Sequence, residues 1–379
     1  MSGELKTEII SGQKSWLIEN KNMKLYMTEF AGHMAPVTFF RDTDNAVEPF
    51  YINPWAEEDI DMSSQPGCLK PLRGDFFCLP FGGDNSWNGE NHPPHGDVQE
   101  GTWSFEKTSE SGGITEAVFT FDMITRPGRV VKTVRLIEGQ NVLYTNDSIE
   151  GFAGPACPGH HAIFPGGSSK YISMGPFKTG FTAKSPANGC GGDEYYALES
   201  FTEFSSLKKV PTRWKNEPYT DCSVFPAREG FIDILQVRVD ETADFAWTAA
   251  VVPEEGYLWF ALKNPEVLPS TVMWMENKGR HGIPWKGRNC CIGIEDVCCY
   301  LADGLKVSAE ENELTKRGFT TTLNLDGKSP LDVKYIQGLV RIPDGFDRVA
   351  DIRKSTDGIE LISESGKSVK TFVDTGFIS

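Results

Sequence analysis

Few side chains in this 379-residue sequence are of types that do chemistry near neutral pH, and the six histidines come first. Two lie three apart, His92 and His95, in HPPHGDVQEGTW at 92–103. Two more, His160 and His161, are adjacent in CPGHHAIFPGG. The prolines of the first stretch rule out the helical pairing in which two histidines share a zinc ion. In an extended polyproline-like stretch, residues three apart point the same way but lie roughly 9 Å apart. One metal could then take both only if the loop bends, and no third ligand stands at an obvious spacing. His95, followed by Gly96, is the one a tight turn would aim; His92 is expected to be a solvated loop histidine. If HHAIF is a strand, His160 and His161 face opposite sides, so at most one enters a given cleft. There it could act as general acid.

A carboxylate and a guanidinium complete the set. Glu295 lies in CCIGIEDV and shares a face with Gly293 and Cys291, while Asp296 points the other way. Burying a carboxylate costs free energy unless it is paired or used, and desolvation raises its pKa toward that of a useful base. The other reading is a salt-bridged structural glutamate. Arg73, in LKPLRGDFFCLPFGGDNSW, precedes a run of aromatic residues on an irregular stretch. Its fork and the neighbouring rings would suit a flat polar ligand such as a sugar; equally, it could bridge loop carbonyls. No G-x-S-x-G elbow, phosphate-binding P-loop or dinucleotide glycine pattern is present.

Strands must position these residues. EAVFTFDM (116–123) alternates, and RVVKTVRLI (129–137) puts Val130, Lys132, Val134 and Leu136 on one face. GQN then turns the chain into VLYTNDSIE (142–150), giving a meander. Later strands are expected at 230–239, 245–252, 256–262, 270–277, 290–297 and 319–325. Helical periodicity is scarce and no βαβ alternation appears, so the expectation is an all-β antiparallel sandwich or barrel. Residues 51–115 form a long Gly-, Pro- and Trp-rich segment of the kind that carries function. The division expected is a main body over 1–341 and a small β-appendage over 342–379 packed on it.

Composition narrows the partners. A net charge of −16 repels phosphate backbones and anionic lipid, excluding nucleic acid and membrane surfaces as expected partners, but it is indifferent to a neutral ligand. The N-terminus lacks a secretory pattern, and no apolar run reaches the ~18–20 residues of a membrane helix. Nine cysteines, four of them in the adjacent pairs Cys290–Cys291 and Cys298–Cys299, fit reduced, mostly buried thiols of a cytoplasmic protein.

In order, these stretches resemble the aldose 1-epimerase (galactose mutarotase) superfamily, nearest to its hexose-6-phosphate mutarotase-like branches. Those proteins carry R-G-G-I-P-x-x-F-P, then H-G-F-A-R and a tryptophan. Here RGDFFCLPFG supplies Arg73, Gly74 and Pro80, and HGDVQEGTW supplies His95, Gly96 and Trp103. VLYTNDSIEG resembles the meander joint that follows, HAIF places His161, and CIGIEDV resembles the strand of the catalytic glutamate, with Glu295 in register. The similarity spans roughly residues 20–340. It departs at Gln99, where the relatives have a phosphate-gripping arginine, and at Asp296, where they have proline.

The resemblance implies a large antiparallel β-supersandwich that interconverts the anomers of a non-phosphorylated aldose or sugar derivative. It makes Glu295 the base at O1 and His161 the acid at the ring oxygen. Arg73 and His95 become substrate-binding, with Asp221, or in competition Asp233, as the binding aspartate. The only partner implied is a small-molecule carbohydrate; neither a cofactor nor a metal is. The rivals are a non-catalytic carbohydrate-binding protein on the same fold, another sugar isomerase or lyase, and a metal-dependent β-sandwich enzyme using His92 and His95.

Overall fold

The computed structural model describes residues 4–83 and 85–378. Antiparallel strands dominate, and the chain is all-β, as its alternating and β-branched runs require. Several expected strands coincide with observed ones: Arg129–Ile137, Val142–Glu150, Ser270–Asn277 and Cys290–Val297. FTTTLNL is strand only from Leu323 onward. Ser104–Ser111, inside the long Gly-, Pro- and Trp-rich segment 51–115 where no strand was expected, is also a strand. It is the edge strand of its sheet, so most of its side chains meet solvent and no apolar alternation marks it. Among the described residues no helix is long and apolar enough to cross a membrane. The cysteines are unbridged and, apart from Cys190 and Cys290, buried.

The chain divides into two compact units. One comprises the residues up to Ala162 together with Asp296–Gln337; the other comprises Ile163–Glu295 with Gly338–Phe377. The first opens with four strands paired in sequence order, from Thr7–Ile10 to Met34–Thr38. It continues through the long irregular segment to a meander of Ser104–Ser111, Ile114–Asp122, Arg129–Ile137 and Val142–Glu150. Phe77–Cys78 pairs with the start of Gly159–Pro165, in the register His160 to Phe77.

In the second unit Lys170–Gly175, Ala246–Val252 and Tyr257–Lys263 pair in that order. Phe177–Thr182, Phe231–Val239 and Ser270–Asn277 form another antiparallel run. Tyr257–Lys263 is buried at every residue, which is why it reads as an unbroken apolar run instead of an alternation. Val349–Ser355, Gly358–Ser363 and Ser368–Phe372 make a separate three-stranded sheet. Arg348, at its entrance, donates to Ser223 Oγ and Asp221 and lies over the Tyr171 ring, tying this sheet to the rest of its unit.

The meander of the first unit buries charge. Val130, Lys132, Val134 and Leu136 are fully buried on one face, so an ammonium sits in an apolar row. Register supplies its counter-ion: Lys132 stands opposite Asp147, and its Nζ is 2.8 Å from that carboxylate. His160 extends the contact. Its Nε2 is 3.5 Å from Asp147 and its Nδ1 is 2.9 Å from Asp75, which also accepts from Gln337 Nε2 at 2.9 Å. The His160 ring stacks on Tyr335, whose hydroxyl donates to Asp296. Breaking a buried pair leaves its partner uncompensated. Lys132→Met should therefore cost ~3–5 kcal/mol in urea unfolding, and Lys132→Met with Asp147→Leu much less. Equal losses in the two variants would contradict this account.

Candidate functional site

The histidine region of the first unit is built on two buried segments that meet through the backbone. His161 N–H donates to the Phe76 carbonyl at 2.9 Å. That contact lays the His161 ring on Phe76, with centroids 4.5 Å apart and planes at 20°. The other face of Phe76 carries His33, at 4.0 Å and 13°. His95 meets His161, Phe76 and Phe81 edge-on, and its Nδ1 is 3.4 Å from Cys78 Sγ. His95 has φ 61° and Gly96 φ 89°. A Cβ on Gly96 would lie 1.8 Å from the Leu79 carbonyl oxygen, so only glycine lets the turn close on that loop.

Burial, aided by the charges of His95 and His33, holds His161 well below the ordinary histidine range. His33 is pushed down to about 3, chiefly by burial. Its tautomer follows from its neighbours: Nδ1 accepts from the Arg73 N–H, so Nε2 carries the proton and donates to Gln99 Oε1 at 2.7 Å. Gln99 is fully buried and spends its amide on the carbonyls of Phe77 and Ala31. Position 99 is thus interior scaffolding, and its lack of positive charge describes the core more than a ligand.

Two of the expected residues take other places. Arg73 is fully buried, and Nε, Nη1 and Nη2 donate to the carbonyls of Pro71, Ile10 and Ser11, each at 2.8 Å. This is the carbonyl-bridging arrangement, and it braces the loop that carries Phe76. His92 is no solvated loop residue: it is buried, with Nε2 3.0 Å from Glu90, which in turn holds Arg126. A short strand pairing, Asn85 to His92, folds the ring inward while the following prolines carry the chain on to His95. Among the described residues no three His, Cys, Asp or Glu side chains gather in a metal-holding group.

The second unit holds a carboxylate region. Glu295 is 2% exposed, and burial raises its pKa well above the usual carboxylate range, opposed only in part by the positive charge of Arg280. Glu276 is fully buried and pushed up to about 7 by desolvation. Its Oε1 accepts from the N–H groups of Gly279 and Arg280, at 2.8 and 3.1 Å. Its Oε2 is buried without a hydrogen-bond donor. Arg280 lies against Trp274 and Trp285, with Nε 2.7 Å from Glu194. Sequence reading missed this group, although Glu276 in STVMWMEN stands out as Glu295 does in CCIGIEDV.

The aspartates also have partners. Asp221 is 40% exposed at its side chain, accepts from Ser223 N–H and Oγ, and faces Arg348. Asp233 is buried and accepts from the N–H groups of Ala197 and Leu198 and from Arg228 Nε.

Glu276 has a consequence for stability. Its folded pKa of about 7 stands above the ordinary carboxylate value of 4.5, so folding holds a proton that the unfolded chain releases. The penalty is absent below the unfolded value, grows as pH rises, and levels off above about 7 at ~3 kcal/mol. Glu276→Gln keeps an acceptor for Gly279 and Arg280 and removes the titration. Between pH 4.5 and 8 the variant should gain about that much on the wild type in urea unfolding; parallel curves would refute the assignment.

No protein-family model and no curated protein sequence matches the chain. Solved structures do. A galactose mutarotase-like protein from Clostridium acetobutylicum superposes with a TM-score of 0.60 at 12% identity, covering 90% of this chain and 99% of its own. A galactose mutarotase related enzyme from Lactobacillus acidophilus gives 0.55, also at 12%, covering 87% and 98%. At such identity what is shared is architecture: this chain has the galactose mutarotase-like fold.

Proposed function

We propose that this protein interconverts the α and β anomers of a non-phosphorylated aldose or sugar derivative by acid–base ring opening. The observation that carries the reading is the opposite displacement of two buried groups, His161 downward and Glu295 upward. Reversible exchange needs one group to take a proton while the other gives one, with the total unchanged.

Glu295, as carboxylate, takes the proton of the O1 hydroxyl. The electron pair left on O1 forms the C1=O bond, C1–O5 breaks, and O5 takes a proton from His161. Rotation about C1–C2 presents the other aldehyde face to O5, and the same steps run backward with the roles exchanged. The form with the proton on Glu295 and the form with it on His161 differ only in where that proton sits. His95, on its strained turn, orients a hydroxyl, and Arg73 braces the loop of Phe76. No cofactor enters this chemistry. The carboxylates around Arg280, namely Glu194 and Glu276, outnumber it and disfavour a phosphate dianion there.

The test is anomer exchange, followed by saturation-transfer NMR over a broad panel of aldoses. The wild type should accelerate exchange of at least one, and Glu295→Gln or His161→Asn should lower the rate ~10²–10⁴-fold. Binding that survives Glu295→Gln, with no exchange by the wild type, would instead establish a carbohydrate-binding protein. The pH profile carries its own sign. Activity falls on the acid side when His161 takes a second proton, below the ordinary histidine range. It falls on the alkaline side when Glu295 loses the last one, above the ordinary carboxylate range.

A further inference from the structure

We infer that Arg280 is a specificity residue that grips two neighbouring hydroxyls of the ligand; that the ligand is a sugar rests on the function proposed above. Arg280 is fixed from several sides. Its backbone pairs with that of Glu194 in an isolated antiparallel bridge, and its N–H donates to Glu276 Oε1. Its Nε lies 2.7 Å from Glu194 Oε1, an ion pair without hydrogen-bond alignment, and 3.9 Å from Glu276 Oε2. The guanidinium carbon is 5.1 Å from the Trp285 ring centroid and 5.5 Å from that of Trp274. The two indoles themselves meet edge to face.

Two terminal nitrogens remain. Among the described residues neither has an acceptor, and the side chain is 21% exposed, so the open end of the fork reaches solvent. A guanidinium held by two indoles and an ion pair loses little further freedom on binding, so its planar donors are ready for a pair of oxygens. The charge balance selects which oxygens. Glu194 offsets Arg280, and Glu276, with its pKa near neutrality, adds negative charge as pH rises. An anionic substituent would gain little there, whereas two uncharged hydroxyls gain charge-assisted hydrogen bonds. The positive charge of Arg280 also acts on the Glu295 carboxyl, lowering its pKa against the effect of burial.

The probes are neutral aldohexoses and aldopentoses, titrated by calorimetry and by tryptophan fluorescence, which Trp274 and Trp285 should report. The tightest binder is then compared with its monodeoxy derivatives and its uronic acid. Arg280→Met should weaken the parent sugar about 10- to 100-fold. The wild type should lose a similar factor at two adjacent deoxy positions to which Arg280→Met is indifferent, and the uronic acid should bind no tighter than the parent. Arg280→Lys, which keeps the ion pair and the charge between the rings, should fold normally and show the same loss of positional discrimination. The inference fails if Arg280→Met binds like the wild type, if both lose the same factor at every position, or if no sugar binds. If the Arg280-dependent pattern appears without any anomer exchange, the catalytic reading falls and the binding assignment stands. Exchange with an unchanged KM in Arg280→Met gives the reverse.

Discussion

A carboxylate placed inside a β-sheet protein must either stay charged and be matched, or hold its proton; water is no longer there to dissolve the charge. Much of the polar interior of this molecule is arranged around that constraint, and the two units meet it differently. In the first, charge is matched: Lys132 pairs with Asp147, and His160 lies between Asp147 and Asp75, with its Nδ1 2.9 Å from Asp75. In the second, the proton is held: Glu276 and Glu295 are buried with too little positive charge nearby, and both have their pKa raised.

The difference separates scaffolding from chemistry. A matched line is rigid and inert, and it fixes the strand on which His160 and His161 sit back to back. His160 faces the line, and His161 faces the ring stack of Phe76 and His33. Burial and the neighbouring imidazoles hold His161 below the ordinary histidine range.

Much was legible in the sequence. The strand cores at 129–137, 142–150, 270–277 and 290–297 follow from apolar alternation and from the turns between them. Lys132 on the apolar face, and a glutamate at 295 in an apolar strand, were visible as local contradictions of pattern. Arg73 was less so: brace and ligand contact ask for the same residue, and only the carbonyls of Ile10 and Ser11 show which it is. His33, Phe76 and Arg280 carried no local signal, since each owes its place to a partner from a different stretch.

By itself, then, the sequence determined the all-β class, the faces of the strands and the residues whose burial would be costly. These depend on spacing within a few residues, where the two-residue period of a strand governs. The tertiary structure decided which buried charge is matched and which keeps its proton, because the matching groups are remote in sequence. Asp75 and Gln337 are 262 positions apart and meet through one hydrogen bond. No local period relates such residues. HPPHGDVQEGTW shows both halves of the lesson: its prolines already excluded a helix, but only Glu90 and Arg126 drew His92 inward, leaving His95 beside His161.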